Sequence, residues 1–527
     1  MKGRILSLVL AVAMLLSLIP ATFALGDAAA LPAYSEITVE VFNRGNVGGT
    51  DPINNYYTDW IKKKVLEELN IGVTFVAVSR SEETTQLNNL MAAGTAPDIS
   101  FTYSGDLITN YKSQGGILNL TPYIEEFLPD LKAFLGPDKA LAGRDMIYRN
   151  QDQTTSETFS IPARRMNVAQ NITFIRKDWL DKLGLELPKT TEEFVEALRQ
   201  FKEKDPGNVG KDKVIPFTMS RDVRWRASTL LDSFIDPNLS DKDRWINTVS
   251  DRNFLQPGYK EGFRLLNKMF NEGLIDPEFA LYNDDTGSDN LIKSGVVGAF
   301  IHNWDQAFRD TPGLLRDLKV NVPDAELVAC DPFVNAAGKT AKGQYDAAGL
   351  NFFIPSFSKN PEGALRYANW ISKFENRYYL QIGDEGVTHE VINGLPKLKT
   401  VEGEKIMNSA QNLDYTFVIN GLDVGDPEKY SQALANSYNV DPQLIIDAYT
   451  YAMKDARPAL IVPVVIESAG PVNETLIDKG LTLMSQAVTC KPEEFDKVWD
   501  DGIADWLASG AQDVVNERAA KYIEPTK

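Results

Sequence analysis

Histidine and cysteine are nearly missing from this sequence, with two of each among 527 residues. His302 and His389, with Cys330 and Cys490, are too few and too scattered for a His/Cys zinc site. A serine-type triad would have to use one of just two imidazoles. Neither a Gly-x-Ser-x-Gly elbow nor a phosphate-cradling Gly-x-x-x-x-Gly-Lys-Ser/Thr loop is present. Whether Cys330 and Cys490 pair stays open, because two buried thiols suit the sequence equally well.

Positive charge is also short. Lys plus Arg number 54 against 73 Asp plus Glu, a net charge of −19 and a pI near 4.8. Such a chain repels polyphosphate and anionic lipid, which excludes nucleic acid as the main partner. Internal repeats and low-complexity tracts are missing, which argues against a repetitive adhesive protein or an array of β-sandwich modules. Past residue 24 no apolar run approaches the roughly 18 residues that span a bilayer. Val296 to Ile301 and Ala459 to Ile466 have strand length only.

What the sequence does contain begins with an export signal. Met-Lys-Gly-Arg is followed by an apolar run from Ile5 to Ile19 and then by Pro20-Ala-Thr-Phe-Ala24, so residues 1–24 are expected to be a signal peptide cut after Ala24. Its removal takes Lys2 and Arg4 and makes the chain more acidic. The expected location is outside the cytoplasm, at the cell surface, extracellular or periplasmic. No cysteine lies near the cut, so an N-terminal lipidated cysteine is not expected.

At 43% hydrophobic and 24% charged the chain has the makings of a folded core, and its length is about twice that at which single cores divide. Ile37 to Phe42 is β-rich, Trp60, Ile61, Val65 and Leu69 recur at helical spacing, and Val73 to Val78 is apolar and branched, which predicts a βαβ unit. Leu87, Leu90 and Met91 mark another helix, and Asp98 to Phe101 a short strand. A second α/β stretch begins at Asn171 to Ile175, followed by a helix over Lys177 to Leu183. Thr190-x-x-Glu193 predicts a capping box ahead of the stripe Phe194, Leu198 and Phe201. The helix over Phe263 to Phe270 is expected to stop at Gly273. Val296 to Ile301 and Leu350 to Ile354 read as strands, Pro361 to Phe374 as a helix, and the chain from Pro442 onward as mostly helical.

Four segments in this order resemble the large extracellular solute-binding proteins of carbohydrate ABC importers (solute-binding protein family 1). They are Arg176-Lys-Asp-Trp-Leu-Asp-Lys-Leu-Gly-Leu185, Glu272-Gly-Leu-Ile-Asp-Pro277, Gly295-Val-Val-Gly-Ala299 before Trp304, and Gly383-Asp-Glu-Gly386. The resemblance implies an α/β fold of two lobes, the periplasmic-binding-protein type II fold, with hinge strands between the lobes. It places 35–165 and 345–440 in one lobe and 166–344 with most of 441–527 in the other. It also implies an oligosaccharide ligand captured by hinge closure and handed to ABC importer permease subunits by a monomer that is not an enzyme.

Many relatives carry a calcium loop where this chain has Asp205 to Pro216. An EF-hand-like loop needs oxygen ligands at alternate positions, but Gly207, Val209 and Lys213 occupy three of them. Asp205, with Asn208 and Asp212 out of phase, is the only material for a cation. The expectation is therefore a turn without calcium, and no other cofactor.

A sugar ring has an apolar face and a rim of hydroxyls, so its site needs aromatic platforms and polar groups in a cleft. Trp60, Trp179, Trp370, Trp499 and Trp506 lie on apolar helical stripes and read as core. Trp304, between Asn303 and Asp305, follows a strand and is the leading platform; Trp225 is next, and Trp245 last. Strand ends also nominate Arg44, Asn46, Tyr103 and Asp106, and Arg164 with Arg165 precede the first crossing between lobes. Glu385 and His389 lie at or just past the Gly383 to Gly386 segment, where relatives often face the cleft. The rival class is a secreted glycoside hydrolase using paired carboxylates about 5 to 10 Å apart, but an acidic chain offers such pairs by chance.

Overall fold

The computed structural model describes residues 31–522, except 45–49, 139–143, 153, 310–312, 400, 407–413, 426–428, 461, 463 and 465. The expected signal segment and the candidate Asn46 lie outside the described residues. The first part of the chain forms β1 (Ser35–Asn43), α1 (Tyr56–Leu69), β2 (Ile71–Ser79), α2 (Glu83–Ala93), β3 (Ser100–Thr102), α3 (Gly105–Ser113), α4 (Pro129–Leu135) and β4 (Ile161–Arg165). There follow β5 (Asn171–Arg176), α5 (Thr191–Lys204), β6 (Ile215–Thr218), α6 (Val223–Arg226), α7 (Thr286–Ser294), β7 (Val297–Asn303) and β8 (Leu327–Cys330). The chain then returns through β9 (Ala348–Phe353) and β10 (Ile419–Asn420), and ends in helices that include α8 (Tyr430–Ser437), α9 (Pro442–Met453), α10 (Ala469–Thr489) and α11 (Gln512–Lys521).

Local chemistry explains the opening βαβ unit. Asn55 caps α1 by accepting from the Tyr57 and Thr58 N–H groups, while the Thr58 hydroxyl oxygen accepts from the Asn55 N–H in return, and Asn70 closes the helix in the left-handed region. β1 and β2 then pair in parallel, Val39 opposite Phe75. The parallel bridge Val39 to Ile99 adds β3 on the other side of β1. β3 pairs antiparallel with β9, β9 antiparallel with β4, and β4 parallel with β10. Around this sheet Phe42, Phe101, Leu131, Ile161, Phe352, Tyr367, Trp370 and Phe417 form one buried core.

The second lobe is built on the strand order β8-β5-β7-β6, with β6 parallel to β7 and the other pairs antiparallel. Alternation sends neighbouring residues to opposite faces. Ile175 and Ile301 join Trp179, Phe194, Phe201, Phe263, Trp499 and Trp506 on one face. Phe174 and Phe300 join Trp304, Leu434 and Ile445 on the other. Leu434 and Ala435 of α8 already pack in this second lobe, so the chain leaves the first lobe earlier than the expected residue 440.

Three passes of chain link the lobes and bond to each other side by side. The Arg165 N–H donates to the Ala347 carbonyl at 2.7 Å, Met166 N–H to Asn420 at 2.8 Å, and Tyr345 N–H to Val168 at 2.8 Å. The capping box at α5 is half formed: Thr190 accepts from the Glu193 N–H, but the Glu193 carboxylate reaches the Lys189 N–H instead of that of Thr190. Cys330 and Cys490 are both free thiols, the first of them buried. No helix of the described residues is long and apolar enough to cross a membrane.

Candidate functional site

Ligands of α/β sheets bind outside the carboxyl ends of the strands. In the first lobe β1, β2 and β3 run parallel and end next to Arg44, Arg80 and Tyr103. Tyr103 lies flat against Phe42, centroids 6.1 Å apart at 14°, and the Arg80 guanidinium sits 4.8 Å over the Tyr103 ring. Glu83 holds this corner: its carboxylate accepts from the Thr102 hydroxyl, the Tyr103 N–H and Arg80 Nη1. Asn420 Nδ2 donates to the Tyr103 hydroxyl at 3.2 Å. Arg44 makes a bidentate pair with buried Asp414, at 2.6 and 2.9 Å, so its fork is already filled by protein.

The second lobe offers the carboxyl ends of β6 and β7 and the start of β5. Asn171 and Asn303 face each other across β5 and β7. Asn171 Nδ2 donates to the Trp225 carbonyl at 2.7 Å and to Ser228 Oγ at 3.1 Å, which anchors α6. The Oδ1 atoms of Asn171 and Asn303 are both buried and find no donor among the described residues. Trp225 is half-buried, with its ring 6.2 Å from that of Tyr345 at 35°. Tyr345 belongs to a linking pass, and burial pushes its hydroxyl up to about 12 even though Arg165 and Arg309 pull the other way.

Arg165 lays its guanidinium 4.4 Å over the Tyr345 ring. Arg164 faces away, and its Nη1 donates to the Phe134 and Leu135 carbonyls at the end of α4. Of the two arginines nominated, the linking strands set Arg165, not Arg164, against Tyr345, because consecutive strand residues point to opposite faces.

Trp304 is corrected in the same way. It is 1% exposed and packs edge-on to Tyr438 and Tyr449, so no face is open to a sugar. Asp305 is buried with it, paired to Arg309 at 2.7 Å and accepting from the Tyr438 hydroxyl. Beside them His302 Nδ1 accepts from the Asn303 N–H, which leaves Nε2–H facing Asp285 and Asp289 at 3.6 and 3.7 Å. Burial, reinforced by Arg226, keeps this imidazole well below its ordinary pKa. Burial likewise lifts the Asp289 carboxyl to about 6 against the pull of Arg226.

The remaining candidates are dispersed. Asp106 is exposed on the first turn of α3 and faces Asp251 and Arg518 of the second lobe; crowding by protein raises its carboxyl pKa, Asp251 adds to this and Arg518 opposes it. Trp245 is held at the C-terminal helices by Arg518, 5.0 Å over its ring, and by Tyr522. Glu385 is exposed on a turn whose Gly386 N–H bonds the His389 carbonyl. His389 is 3% exposed and lies edge-on to Tyr378, which removes it from the set of open cleft residues.

In the loop after α5, Asp205 accepts from the Val209 N–H at 3.0 Å and the Gly210 N–H at 2.8 Å, while Asn208 and Asp212 are exposed. Among the described residues no group of three or more His, Cys, Asp or Glu side chains converges to hold a metal. These residues do not fit a calcium site, since the alternate ligand positions after Asp205 are held by Gly207, Val209 and Lys213, which offer no side-chain oxygen.

Arg80, Asn171, Tyr345 and Asn420 were not foreseen. Arg80 directly follows the strand ending at Ser79, a signal of the same kind that nominated Arg44. Asn420 had none, since its partner Tyr103 lies 317 positions away.

Comparison with known proteins agrees with this architecture. "Lipoprotein LipO" of Bacillus subtilis is 27% identical over 465 residues, covering 86% of each chain. The fructooligosaccharide ABC transporter substrate-binding protein FusA of Streptococcus pneumoniae is 26% identical over 41% of this chain and 42% of its own. The crystal structure of the alginate-binding protein AlgQ2 without calcium ion superimposes with a TM-score of 0.67 at 20% identity, over 94% of this chain and 99% of the other. The two-lobed fold is shared with such solute-binding proteins. Residues 52–376 match the model of the bacterial extracellular solute-binding proteins, and the chain belongs to that family.

Proposed function

We propose that the protein is the exported capture component of a carbohydrate ABC importer, which closes its two lobes on an oligosaccharide and presents it to permease subunits without altering it. The observation that carries this reading is the meeting of Trp225, Tyr345 and Arg165 where the linking passes cross between the lobes. An aromatic wall beside a guanidinium is what a ring with one apolar face and a polar rim requires. The names of FusA and AlgQ2 supply further support, since each states a saccharide. Ligand touching both lobes only when they close shifts the population toward the closed form by its difference in affinity for the two states.

A thermal-shift screen of the purified chain against oligosaccharide libraries, followed by calorimetry and solution scattering on the hits, tests this. The expected result is a saccharide that raises the melting temperature, binds one per chain, shrinks the scattering profile and is recovered intact. Sustained release of smaller sugars, or no response to any glycan, would overturn the reading.

A further inference from the structure

This inference rests on the cleft being a saccharide site and concerns which saccharides it takes. In a chain of net charge −19, Arg165, Arg224 and Arg309 gather around Tyr345 of the linking pass. Two of the three are matched, as are Arg44 and Arg149. Arg44 has Asp414, Arg149 has Asp346, Arg309 has Asp305, and Arg224 has Asp222, each at 2.6 to 2.8 Å.

Arg165 is different. It forms no ion pair among the described residues, and its Nε is buried without an acceptor. Arg165, Arg309 and Arg224 all act on the adjacent Tyr345, and the carboxylate Asp305 that acts with them is already held by Arg309. Behind Arg224, Arg252 also has a buried Nε without an acceptor, and its Nη1 reaches only the Ser250 carbonyl. Arg224 and Arg252 are near enough to repel one another, while Asp222 and Asp251 attract Arg252.

A buried N–H left without an acceptor is costly, and the cost is removed when a carboxylate docks on it. A guanidinium held flat on an aromatic ring keeps its planar fork of donors in one orientation, the arrangement that suits a two-oxygen acceptor. Trp225, half-buried with its ring 6.2 Å from that of Tyr345, adds a second aromatic surface beside it. From Arg165 stacked on Tyr345 beside Trp225, with no acidic partner of its own, we infer that the ligand is an acidic saccharide whose uronate-type carboxylate pairs with Arg165.

The test is calorimetry on the full chain with trimers of galacturonate, glucuronate and mannuronate, their methyl esters, and the neutral trimers xylotriose and maltotriose. At least one acidic trimer is expected to bind ten times or more tighter than its own methyl ester and than either neutral trimer. Arg165→Gln is expected to remove that preference while melting within a few degrees of the wild type, and Arg165→Lys to recover part of it. The ester comparison uses the unaltered protein and so stands even if a variant folds poorly. Equal affinity for acid and ester, or binding of a neutral trimer alone, overturns the inference and leaves the saccharide reading intact. Binding of none of these overturns the inference, while the saccharide reading stands or falls with the library screen.

Discussion

Arg164 and Arg165, consecutive in one strand, serve opposite sides of it: the first closes the carbonyl end of α4 and the second lies over Tyr345. Their variants should separate accordingly. Arg164→Ala removes two charge-assisted hydrogen bonds from a helix terminus, a loss of about 1 to 3 kcal/mol. A lower melting temperature with glycan affinity unchanged is expected from parallel melting and calorimetry. A tenfold loss of affinity at unchanged stability would put Arg164 back in the cleft.

Two tryptophans should divide in the same manner. Trp304→Ala empties a fully buried site, at a cost of about 3 to 5 kcal/mol by urea unfolding. Trp225→Ala, at a half-buried ring, should cost far less stability but at least a tenfold loss of glycan affinity. Retained affinity in Trp225→Ala would remove that ring from the wall.

Asp289 makes a prediction in pH. Burial lifts its carboxyl to about 6, above the ordinary carboxylate range, so the folded chain holds this proton more tightly than the unfolded one. Its contribution to stability is complete below about pH 4 and is lost as pH rises through 6, on the order of 2 to 3 kcal/mol in all. Arg226, Asp285, Lys293 and His302 surround it and are unchanged in Asp289→Asn. The variant should gain on the wild type by that amount between pH 4 and pH 7 in urea titrations. A gain that runs the other way would contradict the buried assignment.

Added calcium should leave the melting temperature within a degree or two, because Gly207, Val209 and Lys213 leave Asp205 without the oxygen partners a calcium ion needs. Asp205→Ala should lower it by the loss of that turn, in calcium and in chelator alike. A calcium-dependent rise of many degrees would refute the closed-turn account.

Thiol chemistry offers a simple check. Cys330 is buried, and burial pushes its thiol far above the ordinary range, so it should react only on unfolding. The unfolded, unreduced chain should titrate two thiols, and reductant should not alter the melting curve. One or no thiol would require a disulfide.

The sequence carried more of the scaffold than of the cleft, for a physical reason. Periodicity reports which face of an element is apolar, and the strands at Ile37, Asn171 and Leu350 and the stripe at Phe194 all follow it. It does not report which of two neighbours at a strand end meets the ligand. Arg164 and Arg165 are equivalent as text and become distinct only when β4 is set beside α4 and Tyr345. Trp304 follows a strand end, as a platform would, yet helices more than a hundred residues later supply Tyr438 and Tyr449 to cover it. His389 was lost to the core in the same way, by Tyr378.

The placement of the eight indoles has an optical consequence. Trp179, Trp304, Trp370, Trp499 and Trp506 are shielded, and of the three partly accessible ones Trp60 stacks on Tyr379 while Trp245 lies under Arg518. Intrinsic emission is thus mostly a constant blue background, and if Trp225 forms part of the proposed wall its emission should change as solute arrives. Difference spectra, or replacement of the other two accessible indoles by phenylalanine, would turn this natural fluorophore into a titration probe that needs no label.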